Sequence, residues 1–484
     1  MPHNNPFIYS TPVTPEQLIG REQELFNIAG RISTGQSSAI MGSPRSGKTS
    51  MLEYLRAPET QATLYNDETE QLIFSYLDIS TWGARKDKTQ FWDYALKPLQ
   101  DYLSPDTTPP SLLKAYQICQ ENQFGTYVLE KLLAQMKLAN WRLVLMVDGF
   151  DVLLHHPILN DVEFFGGLRT LASRFSALAL VVTTNIRVSQ LEKETQHYSR
   201  AASPYFNFLE EIVLGPLPDA EIDKLLVQEG THFSDDDLRF IKEIAGGHPY
   251  LLQIAASVLW YLYESGEKDS VKRQQRAGQE FYNKVEDTLK NIWQLSLQNT
   301  QETFISIVLA HIKDQPHILL TSTIDINELQ KAGIDIEKRI AEINAKPSEI
   351  NELQKYGFIV KNECVLGGWQ IYPQIFLAFV IKNKLYGVRD KQSPQISEVS
   401  TENDDILEKL FTPRFLIFMF MGVVVGEQLG DILTNEDFGF LSLFSGGSPF
   451  SIDMVKFCCA MLGGFFGYKL ALAKNYFNWN QNRK

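Results

Sequence analysis

From Ser37 to about Leu214, short apolar runs rich in β-branched residues alternate with longer stretches of helical period. This alternation predicts an α/β domain with a largely parallel sheet. Strands are expected at Ser38–Met41, Leu72–Asp78, Leu143–Val147, Leu178–Thr183 and Glu211–Leu214, with amphipathic helical windows such as Gln90–Leu103 between them. From Pro218 to about Leu297 the strand pattern disappears and helical period takes over. Residues 298–385 combine helical windows with two late β-like runs, Phe358–Lys361 and Gly368–Ile371, separated by a Gly-containing turn. This order predicts a compact helix-and-hairpin domain such as a winged helix. Residues 386–410 contain a polar stretch with Pro394 and no apolar period, and read as a linker. The expected layout is therefore a segment 1–36, an α/β core 37–217, a helical lid 218–297, a winged-helix-like domain 298–385, the linker, and a tail 411–484.

The tail differs in kind. Phe415–Leu433 and Met454–Ala473 are dominated by Phe, Leu, Met, Val and Gly, each near the roughly 20 residues that cross a bilayer core. They predict a two-span transmembrane hairpin, against the alternative of two buried core helices that Glu427, Gln428, Asp431 and Lys456 keep open. The connecting segment carries Asp431, Glu436, Asp437 and Asp453, whereas Lys409 and Arg414 precede the first span and Lys469, Lys474, Arg483 and Lys484 follow or end the second. The positive-inside rule then places the amino-terminal body and the carboxy terminus in the cytoplasm, with the protein on the cytoplasmic membrane.

Composition narrows the classes further. The 484 residues exceed what one core usually organises, and 45 basic against 58 acidic residues give a net charge of −13, which speaks against a general nucleic-acid binder. Four cysteines form no CxxC pair, which disfavours a zinc site or a disulfide framework. Residues 1–10 are polar, with no basic patch leading into an apolar run, so no secretory signal is expected.

The candidate chemistry lies at Gly42-Ser43-Pro44-Arg45-Ser46-Gly47-Lys48-Thr49, a full match to GxxxxGK(S/T) between an apolar strand and a helical run Thr49–Arg56. Such a loop turns backbone N–H groups toward nucleotide phosphates, Lys48 neutralises phosphate oxygens, Thr49 offers a hydroxyl to magnesium, and Ser50 follows in the helix. Leu143-Val144-Leu145-Met146-Val147-Asp148 supplies the acidic strand end: Asp148 would hold magnesium and Asp151 would polarise the attacking water. Capping of the following turn is the bland alternative for both. Gly149 stands where many ATPases carry a Glu, so hydrolysis is expected to be slow. After the next strand, Thr183-Thr184-Asn185 offers a γ-phosphate sensor at Asn185, or ordinary turn residues. No Asn-Lys-x-Asp motif reads guanine, so ATP and ADP with magnesium are the expected ligands.

Together these residues resemble the STAND class of signal-transduction ATPases within the AAA-related P-loop group, over about residues 6–379. Pro6-Phe7-Ile8-Tyr9, Pro15 and Ile19-Gly20-Arg21-Glu22 resemble the segment lining the adenine pocket in that class, which implicates Gly20 and Arg21 in binding. Asp148-Gly149-Phe150-Asp151 is similar to the DGhDE motif, with Val152 in place of the last Glu. Gly246-Gly247-His248-Pro249-Tyr250 resembles the lid motif whose proline, here Pro249, packs near nucleotide; His248 by itself reads as structural. The resemblance implies a switch: ADP holds lid and winged helix closed, a trigger permits exchange, and the ATP form self-associates, here with a membrane hairpin as output or anchor and an unidentified activating protein as partner, as in bacterial defence. Two alternatives stand beside it: a winged-helix AAA-type ATPase acting on nucleic acid, and an energy-coupling ATPase of a membrane transporter.

Overall fold

The computed structural model describes residues 5–65, 71–195, 204–228, 231, 233–314, 329 and 335–385. Five strands, β1 (Ser37–Met41), β2 (Gln71–Asp78), β3 (Trp141–Asp148), β4 (Leu178–Thr184) and β5 (Leu209–Val213), form one parallel sheet in the order β2-β3-β4-β1-β5. All five expected strands are present, their ends shifted by up to two residues. β4 is buried along its whole length and β3 everywhere except its two ends, as continuous apolar runs in the middle of a parallel sheet should be. The alternating burial of β2 marks an edge strand.

Side chains of β3 alternate between two cores. Leu143, Leu145 and Val147 pack with Phe91, Leu132 and Phe165 on one face of the sheet. Val144 and Met146 pack with Ile28, Ile32 and Leu52 on the other. The helix Lys48–Arg56 starts directly after β1 and its loop, and helix Lys88–Tyr102, beginning two residues before the expected window, is capped by Asp87.

After β5 come the helices Asp219–Leu226, Asp235–Ala245, Pro249–Glu264 and Ser270–Leu295. Helices Gln301–Asp314, Ile336–Glu342 and Pro347–Lys355 then lead into an antiparallel pair, β6 (Ile359–Lys361) and β7 (Trp369–Ile371), and a final helix Ile375–Val380. One hydrophobic cluster runs through both groups, with Trp293 of the longest helix against Phe304 and Phe379. Both groups close on Pro216 at the exit from β5: a Cβ on Gly247 would lie 2.5 Å from the ring's Cβ, and one on Gly357 2.7 Å from its Cγ. Only glycine permits that approach, and Gly357 additionally has φ +75°.

Among the described residues no helix is long and apolar enough to cross a membrane. The expected spans 415–433 and 454–473, and the linker before them, lie outside the described residues.

Candidate active site

The sheet order determines what meets the P-loop. β4 lies between β1 and β3, so the carboxyl end of β4 stands between Lys48 and Asp148. Lys48 Nζ donates to the carbonyls of Gly42 (2.7 Å) and Ser43 (2.9 Å) and to Asn185 Oδ1 (3.0 Å). Asn185 Nδ2 in turn donates to Asp151 Oδ2 (3.0 Å). Burial pushes the Lys48 amine down to about 8, against the opposing pull of Asp151 and Asp148. Its ammonium is thus under-compensated, the state that added phosphate charge would relieve.

Asp148 is held by hydroxyls. Oδ2 accepts from Thr49 Oγ1 (2.7 Å) and from Tyr76 Oη (3.0 Å), and Oδ1 accepts from Thr183 Oγ1. Thr183 Oγ1 also accepts the N–H of Gly149 (2.8 Å), which turns in the left-handed region at φ +74°. That backbone favours glycine where many ATPases place Glu, and the next carboxylate on the chain, Asp151, takes the place beside Asn185. The Thr49 hydroxyl and the Asp148 carboxylate are hard oxygen donors on one point, and magnesium needs few protein ligands because it keeps several waters, so the donor set fits that ion. Among the described residues no cluster of three or more His, Cys, Asp or Glu forms a richer metal cage.

Beside the P-loop lies a cavity of about 340 Å³ whose walls include Ile8, Tyr9, Val13, Leu18, Pro249 and Tyr250, with Arg21, Gln253 and residues Arg45 to Ser50 at its polar side. An apolar slot ending at a P-loop suits a purine base and its phosphates. Arg21 is buried and donates to the Gly215 carbonyl (2.7 Å) at the exit from β5, and burial lowers its pKa against the pull of Glu24 and Glu22. Two expected binding residues stand apart from the cavity wall. Gly20, at φ +71°, turns the chain against Glu221 and Leu217, and Gly42 contributes its carbonyl to Lys48. Arg45 occupies the left-handed region at φ +66° and stacks its guanidinium 5.4 Å from the centre of the Tyr250 ring.

The helical region after β5, expected above as a lid, reaches the P-loop through His248, read above as structural. Its Nε2 lies 3.1 Å from Ser43 Oγ. Burial, reinforced by the charges of Lys48 and Arg21, pushes the imidazole down to about 4, so it is neutral at ordinary pH. Its Nδ1, Asp151 Oδ1 and Ser46 Oγ are buried atoms without a hydrogen-bond partner among the described residues. Tyr76 was not singled out by the sequence; a tyrosine on an alternating strand carries no local signal that it will meet an acid of the neighbouring strand.

A strand-loop-helix carrying Lys48 and Thr49, with Asp148 two strands away and Asn185 between, defines a P-loop ATPase. The chain belongs to the AAA-like domain family, whose model matches residues 28–334. Among solved structures it is similar to the Walker-type ATPase PABY2304 of Pyrococcus abyssi, at 13% identity over 78% of this chain and 99% of that one, with a TM-score of 0.46. It is also similar to the ORC2 protein of Aeropyrum pernix in ADPNP–ADP complexes (13% identity, 78% of this chain and 97% of that one, TM-score 0.44). The ORC1 protein of the same organism in complex with DNA is similar at 14% identity over 78% and 95% of the two chains, with a TM-score of 0.36. Comparison with curated proteins finds no match.

Proposed function

We propose that this AAA-like ATPase is an ATP-gated conformational switch with slow turnover, in the manner of STAND ATPases. The observation that carries the reading is the seat of the lid on the P-loop, where neutral, buried His248 meets Ser43. Phosphates entering at Ser43 to Thr49 would act on the same loop the lid grips, so nucleotide state and lid position share one set of atoms. Lys48 holds the phosphates, Thr49 and Asp148 hold magnesium, and Asp151, steered by Asn185, orients the attacking water. When bound, the metal supplies charge neutralisation at the β- and γ-phosphates. In this reading the ATP form self-associates and an activating protein permits exchange. The test is protease sensitivity and hydrodynamic size with ADP and with a non-hydrolysable ATP analogue. Two distinct nucleotide-dependent patterns are expected, and Lys48→Ala, which loses the cation that faces the phosphates, should bind neither nucleotide and show neither pattern.

For the output, action on nucleic acid has the firmer footing among the described residues. The element it needs, helices followed by the β6–β7 hairpin in winged-helix order, lies within 301–371. Several of its basic side chains are paired, Arg339 with Glu302 and Lys361 with Glu363, so only a salt-sensitive shift of DNA mobility would establish it. The membrane output, a two-span hairpin at 415–433 and 454–473 tethering the body to the cytoplasmic face, rests on hydropathy. Fractionation of the full chain with and without residues 411–484 tests it.

A further inference from the structure

Asp148 sits at the end of a central strand, and the strands on both sides each send it one hydroxyl. Thr183 from β4 takes Oδ1, and Tyr76 from β2 takes Oδ2 at 3.0 Å, the same oxygen that Thr49 of the P-loop helix reaches at 2.7 Å. The carboxylate is therefore held at both oxygens, and its plane is fixed before any metal arrives. Tyr76 is itself held: the Arg56 guanidinium lies 5.1 Å from the centre of its ring and is paired with Glu53 at 2.6 Å. Arg56 ends the helix that Lys48 and Thr49 begin. Helix end, tyrosine, carboxylate and threonine thus close a ring of contacts around the magnesium-bearing point.

We propose that Tyr76 is a positioning residue for the magnesium ion of the nucleotide site, fixing the Asp148 oxygen that serves the metal together with Thr49. The inference rests on the ATP-magnesium reading of the site and deepens it. The phenol takes one of the two lone-pair sites of Oδ2 and denies the side chain rotation away from Thr49; the other site, which the Thr49 hydroxyl fills here, is the one a metal or its water would take over. Removing the hydroxyl leaves the ring, its stacking on Arg56 and its packing on the edge strand in place, so Tyr76→Phe keeps the fold.

The experiment is a titration of a fluorescent ADP analogue on the full chain, in EDTA and then across magnesium concentrations, for the parent and Tyr76→Phe. We expect equal affinity in EDTA and a magnesium midpoint raised about tenfold in the variant, the lower range for loss of a group that orients a metal ligand. Manganese in place of magnesium, followed by its electron-spin resonance signal, should show the same weakening without any turnover. A purely structural tyrosine would lower the melting temperature and leave the midpoint where it was. An unchanged midpoint with nucleotide affinity that depends on magnesium in the parent overturns the role of Tyr76 alone. A parent whose nucleotide affinity ignores magnesium overturns the metal reading of the site, and this inference with it.

Discussion

Two carboxylates invite comparison, half-buried Asp148 at the end of β3 and Asp237 in the lid helix Asp235–Ala245. Asp237 is fully buried and accepts from Arg273 (2.7 Å), Gln274 (3.1 Å), Ser234 (2.9 Å) and Tyr263, whose ring also carries the Arg273 guanidinium 4.1 Å from its centre. Burial alone would raise its pKa, but the hydrogen bonds from Tyr263, Gln274, Arg273 and Ser234 outweigh it and hold the group below the usual value. Asp148 has three donors to Asp237's four, and among the described residues all three are hydroxyls. The lid acid brings its own cation; the sheet acid is organised but not neutralised by a bonded partner. A carboxylate of the first kind fastens a fold, and one of the second is prepared for a cation that arrives from outside.

The contrast can be broken from either side. Asp151→Ala should lower magnesium-dependent ATP hydrolysis by about 100- to 10,000-fold, the range for a lost general base, with nucleotide affinity retained in a binding titration. Asp148→Asn should lose magnesium-dependent turnover too, while changing stability in urea by only about 1 kcal/mol. On the lid side, Arg273→Met leaves a buried charge without its partner and should cost about 3–5 kcal/mol in the same urea measurement. If Asp148→Asn unfolded the protein and Arg273→Met did not, the assignment of the two acids would be reversed.

A further prediction concerns pH. The unfolded His248 takes a proton near pH 6.5 and the folded one only near about 4. Between those values the unfolded state binds more protons, so stability rises with pH through this window, is fully present above 6.5 and is lost on acidification. The slope is at most about 1.4 kcal/mol per pH unit. Chemical denaturation at pH 7 and pH 5 should show the loss in the parent, and His248→Gln should flatten it. The smallest effect is at Arg45: replacing it by glycine relieves a left-handed backbone, worth about 1 kcal/mol, but forfeits a cation–π contact of about 0.5–1 kcal/mol. The net change in melting temperature should be slight, whereas the lid, freed of Tyr250 stacking, should become more protease-sensitive.

These pairs also show where the sequence was legible. Lys48, Thr49 and the strand before them are specified within a dozen residues, and Asp148 ends an apolar run that only a buried strand explains. Asn185 was readable as the polar end of the next strand, though its contacts with both Lys48 and Asp151 depend on β4 lying between β1 and β3. Tyr76 and His248 were opaque for the same reason: each matters through one contact made across 72 or 205 residues of chain. Gly20 and Gly42, expected at the nucleotide, are seen here at the turn against Glu221 and at the Lys48 amine. The arrival of the lid on Pro216 was equally invisible, since glycine at 247 and 357 announces a close approach without naming the neighbour.

The interior position of β1, between β4 and β5, bears on how the chain is made. Its last residue, Met41, pairs with Thr184 and Val213, so the strand that feeds the P-loop has neither neighbour until more than 140 further residues have been synthesised. At about 5–20 residues per second the loop emerges from the ribosome roughly 7–30 seconds before β4 can flank it. During that interval Lys48 has no Asn185 and Asp148 no Thr183. Nucleotide affinity is therefore a property acquired late in translation, when β4 and β5 close around β1, and a nascent chain arrested before residue 184 should be unable to retain ATP.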